Sequence, residues 1–356
     1  MATISLCMIV RDEESVLARC LESVKALVDE IIIVDTGSFD KTKEIASKYT
    51  DKIYDFEWVD DFAAARNFSF SKASMEYQMW LDADDIFDAS EQEKFLKMKK
   101  ELSEKNIDVA MLRYNIAFDE AGRPVFSYFR ERIFKREKNY QWSGEIHECI
   151  SSVGNIVNFE IFVRHAKIKE SDPMRNIKIF EKIKSSGELS PRHKFYYARE
   201  LMYLKRFSEA IEWFEKFLAE GKGWSEDNAQ ACLDIYECYC GLNDKIKGVK
   251  GMLQSFYYDI PHAEVCCKLG SFFQGNGDYK TAVHWFKAAT ELDINERKGF
   301  TDPDCYGFIP FIELCVCYDR LGDREKAFYY HKKAKKIKPK SSSVIFNEEY
   351  FKSLKT

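Results

Sequence analysis

Gln78-Met79-Trp80-Leu81-Asp82-Ala83-Asp84-Asp85 is a short, mostly apolar run that stops abruptly in carboxylates. Its length suits a buried strand. Two carboxylates one residue apart at a strand end can meet a divalent cation together with a ribose or a phosphate. A solvated turn that caps a helix, here one starting near Ser90, uses the same residue types. The surroundings therefore decide. Ile4 to Val10 is another apolar run, followed by Val16, Leu17, Cys20, Leu21, Val24 and Leu27 at helical spacing. Ile31-Ile32-Ile33-Val34 stops at Asp35-Thr36-Gly37-Ser38, a helix is expected over 40–49, and Lys52-Ile53-Tyr54 reads as a third strand. Residues 62–74 read as helix before the run at 78–81. Strands alternating with helices imply a mostly parallel, Rossmann-like sheet with both faces covered. Ligands of such sheets sit beyond the carboxyl ends of the strands, where both acidic clusters fall.

From 108 to 168 strand-rich segments take over: Val109 to Tyr114, Arg132-Ile133-Phe134 and Glu160 to His165. A connecting helix is expected over 171–190, bounded by Ser185-Ser186-Gly187 and Pro191. Beyond it the chain is helical and repetitive. Gly277-Asp278-Tyr279, Ala282, Phe286 and Ala289 form one copy, with Leu269-Gly270 and Phe273 upstream. Gly322-Asp323, Ala327, Ala334 and Pro339 form a second, and Phe207, Ala210, Phe214 and Phe217 a third. Residues 228–255 form a degenerate fourth, with Gly248 at the alanine position. The small residues 210, 248, 282 and 327 lie 38, 34 and 45 apart, and a spacing of 34 is that of a tetratricopeptide repeat. The longest gap holds a loop expected from Asn295 to Pro310. The fold expected is an α/β domain over 1–170 followed by all-α repeats over 191–356.

The 54 basic and 59 acidic residues of the 356 leave a formal net charge of −5, so no overall field draws nucleic acid. The first ten residues lack the basic start of a signal peptide, and no apolar run approaches the roughly 20 residues that cross a bilayer. The 11 cysteines, among them Cys266-Cys267, lie in apolar patterns without paired Cys-x-x-Cys spacing. They read as small core residues in a reducing, cytoplasmic compartment.

Further residues carry chemistry. Gly37 permits a tight turn, and the Asp35 carboxylate can accept hydrogen bonds from a base or ribose. Asp40 reads as a cap for the next helix. Arg66 and Asn67 open an otherwise apolar helix. Trp142-Ser143-Gly144-Glu145-Ile146-His147-Glu148 puts two carboxylates and an imidazole within seven residues. As a strand, it would place Glu145 and His147 on one face and Glu148 on the other. Arg130, Arg132 and Arg136, at even spacings, either line a face toward phosphates or form a solvated strand face. His165 ends an apolar strand and is followed by Lys167 and Lys169.

Ile4 to Glu13, Asp35 to Thr42, Phe62-Ala63-Ala64-Ala65-Arg66-Asn67 and Trp80 to Asp85 stand in the order and spacing of glycosyltransferase family 2, which the chain resembles over about 170 residues. The resemblance implies a GT-A fold and single-displacement transfer with inversion. The subgroup with a tetratricopeptide tail, including bacterial peptide S-glycosyltransferases, looks most similar. By that resemblance Val10, Arg11, Glu13, Asp35 and Gly37 hold the base and ribose of a UDP-sugar. Asp82, Ala83 and Asp84 match the family's Asp-x-Asp, with Asp84 and Asp82 meeting Mg²⁺ or Mn²⁺ and His165 as a third ligand. Arg66 and Asn67 lie near the sugar-diphosphate; Arg132, from the run of spaced arginines, is expected among the donor-binding residues. Glu145 is the first base candidate, with His147 and Glu148 behind it; a base must take the acceptor's proton as the sugar carbon is attacked. A Gln-x-x-Arg-Trp motif is absent, which separates the chain from processive polysaccharide synthases. The acceptor expected is a peptide or protein Cys or Ser side chain. The rivals are a saccharide or lipid-linked acceptor, and a repeat adaptor with a degenerate transferase domain. The aromatic-rich repeats are suited to gripping an acceptor or to pairing two copies.

Overall fold

The structure is a computed structural model that describes residues 1–118, 124–168, 172–294 and 301–354. The chain divides into two units, Met1–Glu188 and Leu189–Thr356.

In the first unit, strands β1 (Ile4–Val10), β2 (Glu30–Asp35), β3 (Ile53–Asp55) and β4 (Tyr77–Trp80) form the parallel half of a sheet. Helices α1 (Leu17–Val24), α2 (Thr42–Ala46) and α3 (Phe62–Ser71) make the connections. Next come β5 (Asp85–Ile86), α4 (Ala89–Glu104), β6 (Val109–Phe118), β7 (Pro124–Lys135) and β10 (Ile156–His165), with a small hairpin of β8 (Trp142–Ser143) and β9 (Cys149–Ile150) between them. Helix α5 (Arg175–Ser186) closes the unit. The sheet runs β3-β2-β1-β4-β7-β6-β10-β5 among the described residues.

Alternation along β1 shows why its run is apolar throughout. Ile4, Leu6, Met8 and Val10 enter the core under α1 and α4, while Cys7 enters the opposite layer with Ala63 and Phe70 of α3. A strand covered on both faces has no solvent side to mark with polar residues.

One pairing positions the site. β5 follows β4 after only four residues, yet it pairs with β10 at the far edge of the sheet. Five residues of extended chain reach roughly 17 Å, so the sheet curls until its β10 edge lies beside the end of β4. The antiparallel register then sets His165 opposite Asp85 and Arg164 opposite Ile86. The Ala166 N–H donates to the Asp84 carbonyl at 2.9 Å.

The second unit is built of helix pairs: α6 (Pro191–Tyr203) with α7 (Phe207–Ala219), α8 (Ser225–Gly241) with α9 (Lys245–Leu253), α10 (Ala263–Gly275) with α11 (Tyr279–Glu291), and α12 (Phe308–Arg320) with α13 (Arg324–Ile337). Helix α14 (Ser342–Ser353) follows α13. Ala210, Gly248, Ala282 and Ala327 are all buried. A methyl group at Gly270 would meet the Phe286 ring at 2.7 Å, so glycine there permits the close approach of α10 and α11. The Gly-Asp signature has a local cause. Gly277 and Gly322 take φ values of 80° and 81°, and the following aspartates cap the next helix by accepting from Thr281 N and Lys326 N. The expected loop from Asn295 to Pro310 is shorter where described: a 3-10 turn spans Pro303–Tyr306 and α12 starts at Phe308. Residues 295–300 lie outside the described residues, as does Lys169. All eleven cysteines are free thiols, nine of them buried, which makes them core fillers.

Candidate active site

A cleft of about 640 Å³ opens at the carboxyl ends of β1 and β4. Its floor holds Val10, Arg11, Glu13, Thr36, Asp82, Ala83 and Asp84, and its walls hold Arg66, Arg130, His147, Glu148, His165, Lys167 and Arg175.

The loops after β1 and β2 are laced together. Asp12 N–H donates to Ser38 Oγ at 2.9 Å, Glu13 N–H to Thr42 Oγ1 at 2.7 Å and Glu14 N–H to Asp40 Oδ2 at 3.0 Å. In return Phe39 N–H donates to Asp12 Oδ1 at 2.8 Å. Asp40 therefore ties two loops together, and its Oδ1 also accepts at 2.9 Å from the N–H of Thr42, where α2 starts two residues later. Asp35 is 2% exposed; its Oδ1 accepts from Gly37 N and Ser38 N at 2.9 and 2.8 Å. Its Oδ2 is buried without a hydrogen-bond partner among the described residues. Gly37, at φ 102°, makes this turn. Neither Asp35 nor Gly37 lines the cleft; Thr36 between them does.

Helix α3 brings in the next group. Asp61 caps it by accepting from Ala64 N at 2.8 Å, and one turn on Arg66 points into the cleft. Arg66 is 6% exposed and bridges two carboxylates, donating from Nε to Glu148 at 2.6 Å and from a terminal nitrogen to Asp82 at 2.8 Å. Burial alone would raise the Asp82 carboxyl, but Arg66, with Arg132 and Arg130, outweighs it and holds the group down at about 2. Asn67, expected near the sugar-diphosphate, instead clasps the hairpin. Its amide donates to the Trp142 carbonyl at 2.9 Å and accepts from the Trp142 N–H at 2.8 Å.

Asp84, Asp85 and His165 are the one metal-competent group among the described residues, each offering a ligand atom within 4.8 Å of the others. His165 Nδ1 lies 3.4 Å from Asp84 Oδ1 and 3.7 Å from Asp85 Oδ1, and 2.9 Å from the Tyr114 hydroxyl. Hydrogen bonds to Asp84 and then Asp85 push the imidazole up to about 9. Asp82, expected as a metal ligand, is turned to Arg66, and Asp85 takes the third place in the cluster. Asp85 is fully buried; its Oδ2 pairs with Arg132 at 2.9 Å, and its Oδ1 faces His165 Nδ1 at 3.7 Å. Two oxygen donors with one imidazole suit Mn²⁺ or Mg²⁺, so the residues fit such an ion.

Arg132 is corrected from ligand contact to core residue. The register of β7 on β6 shifts between the pairs Ala110↔Ile133 and Met111↔Glu131, leaving Arg132 as the extra residue of a bulge. It is fully buried, with its guanidinium 4.0 Å from the Trp80 ring and 4.5 Å from the Tyr114 ring. Arg130, two residues back, reaches the cleft in its place, and Arg136 donates to the Met75 carbonyl at 2.6 Å.

The Trp142–Glu148 block is a hairpin loop rather than a strand, so simple alternation fails. Gly144 and His147 both have positive φ, 93° and 51°. Ile146, His147 and Glu148 all face the cleft, while Glu145, the first base candidate, does not line it. The Glu145 carbonyl accepts from Phe62 N at 2.8 Å, and the His147 ring stacks on Phe180 with centroids 6.1 Å apart. Arg175 and Asn176, at the start of a helix read only as a connector, also line the cleft. Nothing in the sequence marks them except a basic residue at a helix start.

Residues 5–162 match the glycosyl transferase family 2 profile and residues 263–294 a tetratricopeptide repeat. The TPR repeat-containing protein of Synechococcus elongatus is 37% identical over 151 residues, 42% of this chain and 36% of that protein. The SPbeta prophage-derived glycosyltransferase SunS of Bacillus subtilis is 28% identical over 63% of this chain and 55% of its own length. The lipopolysaccharide core biosynthesis glycosyltransferase LpsC of Rhizobium meliloti is 24% identical over 55% of this chain and 77% of its own length. The chain thus spans about a third to a half of the first two relatives. The first unit carries a match to glycosyl transferase family 2 and the second a match to a tetratricopeptide repeat.

Proposed function

We propose that this chain is an inverting glycosyltransferase that moves a hexose from a UDP-sugar to a peptide or protein side chain, with Mg²⁺ or Mn²⁺ held by Asp84, His165 and Asp85. The observation that carries this reading is charge of both signs in one cleft at the strand ends. An acidic and imidazole cluster faces Arg11, Arg130, Lys167 and Arg175, which suits a diphosphate bound to a divalent cation. The similarity to SunS supports it.

The ion supplies charge compensation for the departing nucleoside diphosphate. The protein's own residues do the rest. The laced loops at Asp12–Glu14 and Ser38–Thr42 hold a rigid ledge for the nucleoside, with Thr36 lining the cleft beside it. Arg66 fixes Asp82 and Glu148 at the centre of the cleft. His147 or Glu148 takes the acceptor's proton, since both line the cleft and Glu145 does not. Separate pH–rate profiles of His147→Ala and Glu148→Gln distinguish the two. The repeat unit holds the acceptor or pairs two copies. A second reading, transfer to a saccharide in envelope glycan synthesis, is favoured by the similarity to LpsC.

The test is calorimetric titration of UDP-, GDP- and TDP-sugars with and without Mn²⁺, on the wild type and on Asp84→Asn. Metal-dependent binding of UDP-sugars, lost in the variant, is the expected result. Absence of binding by every nucleotide sugar refutes the transferase reading.

A further inference from the structure

The repeat unit ends in two helices whose exposed faces mix lysines with large apolar side chains. Residues 324–354 carry nine basic and three acidic residues in a chain whose formal net charge is −5, so positive charge is concentrated here against the overall balance. Lys335 is paired with Glu348 at 2.8 Å and Lys338 with Asp304. Lys332, Lys333, Lys336 and Lys340 have no carboxylate partner among the described residues. Between them stand Tyr329 and Ile337 of α13, 49% and 43% exposed. On α14, Val344, Asn347 and Phe351 are buried. The helical period therefore turns Ile345 and Phe346 outward, at 46% and 69% exposed. The Lys335–Glu348 bridge and the Phe328–Phe351 ring contact at 5.3 Å fasten α14 to α13, so both exposed faces belong to one rigid corner.

We propose that α13 and α14 form a docking surface for an anionic lipid bilayer. Lysines beside outward aromatic and aliphatic side chains match the two layers of a bilayer interface: phosphate headgroups for the ammonium groups, the acyl boundary for Phe346, Ile345 and Tyr329. A nucleic acid would satisfy the lysines and leave the isoleucines in water. A second copy docked two-fold on this face would set the same lysines against each other. Attachment is peripheral, since no helix among the described residues is long and apolar enough to cross a membrane. The inference does not depend on the transferase reading.

Co-sedimentation of the full chain with vesicles of phosphatidylcholine alone, or with 30 mol% phosphatidylglycerol, tests it at low and high salt. The comparison adds the triple variant Lys332→Glu/Lys336→Glu/Lys340→Glu and the double variant Ile345→Ser/Phe346→Ser. All five positions are exposed, and circular dichroism melts verify that both variants fold. Expected are binding to the anionic vesicles only and a loss of at least about tenfold in either variant and at high salt. Equal binding to neutral vesicles, no binding to either, or an unaffected lysine variant overturns the proposal. Binding lost in the lysine variant but unchanged in the serine variant marks a general polyanion site and also overturns it. So does self-association that the serine variant abolishes in the absence of vesicle binding.

Discussion

Replacing Arg132 by Met separates a structural role from a ligand role for this arginine. Arg132 and Asp85 are both fully buried and 2.9 Å apart. Truncation breaks a buried pair and leaves the Asp85 carboxylate in the core with only the His165 imidazole, 3.7 Å from its Oδ1, as a nearby countercharge; breaking such a pair typically costs about 3–5 kcal/mol. The structure sets a ceiling, because the variant can escape by taking up a proton on that carboxylate. Protonating an ordinary aspartate costs about 1.4 kcal/mol per pH unit above about 3.9, hence about 4 kcal/mol at pH 7 and about 1.5 at pH 5. Loss of the guanidinium from the Trp80 and Tyr114 rings adds about 1 kcal/mol, part of which methionine restores. The variant's folded state then binds a proton that its unfolded state lacks near neutrality, so the deficit shrinks as pH falls. Expected losses are about 4–5 kcal/mol at pH 7 and about 2 at pH 5, read from hydrogen-exchange protection of peptides spanning β4 and β7 in the full chain. Adding Asp85→Asn removes the orphan charge while keeping an acceptor for the Asp82 N–H, which now bonds Asp85 at 3.1 Å. The double variant should recover more than half of the loss. A deficit under about 1 kcal/mol, a deficit independent of pH, or lost nucleotide affinity with stability intact would refute the structural account.

Asn67→Ala removes both clasps on Trp142 and should cost about 2 kcal/mol in the first unit, read by the same exchange measurement on residues 140–150. Lys205 holds φ 59° at the position where the later repeats have Asn243, Gly277 and Gly322, so Lys205→Gly should stabilise the repeat unit by about 0.5–1 kcal/mol in urea unfolding. A neutral or destabilising result means that the lysine side chain makes up for its backbone strain. Asp227 is 7% exposed, and burial pushes it up to about 6 against the pull of Arg192 and Arg199. A carboxyl raised in the folded state weakens that state once it ionises, so the repeat unit gains stability as pH falls from 7.5 toward 5. Asp227→Asn should flatten that slope and stabilise the unit by about 1–2 kcal/mol at pH 7.5, with about half of that left at pH 5 and little below about pH 4; an unchanged slope in thermal melts refutes it.

The architecture was legible because its signals are local. Ile4–Val10 is a strand in the structure as in the sequence, and α3 begins at Phe62 as its pattern predicts. Ala210, Gly248, Ala282 and Ala327 are buried where the repeat spacing put small residues. The loops after β1, β2 and β4 stand at the cleft because a parallel sheet sends its carboxyl ends there. What the sequence hides is long-range or irregular. The β7 bulge that sinks Arg132 and leaves Arg130 at the cleft has no signature in Arg-x-Arg spacing. Positive φ at Gly144 and His147 breaks the alternation assumed for the Trp142–Glu148 block, exchanging Glu145 for Glu148 at the cleft.

The acidic motif shows why residue types can be right while their assignment to partners is not. Asp82, Asp84 and Asp85 are separated by one residue or none, so each can serve a cation, and the sequence offers no preference. The choice is made by two partners far along the chain. Arg66 arrives on α3 already bound to Glu148, 82 residues later in sequence, and takes Asp82. His165 arrives because β10 pairs with β5, and that register places it against Asp84 and Asp85. Arg132 pairs with Asp85 at 2.9 Å, which offsets the cost of burying that carboxylate beside a second one. The motif's charge is thus divided between an arginine that orders the cleft and a histidine that completes a metal-competent cluster. That division follows from the curl of the sheet, which no stretch of sequence shorter than the β4-to-β10 segment encodes.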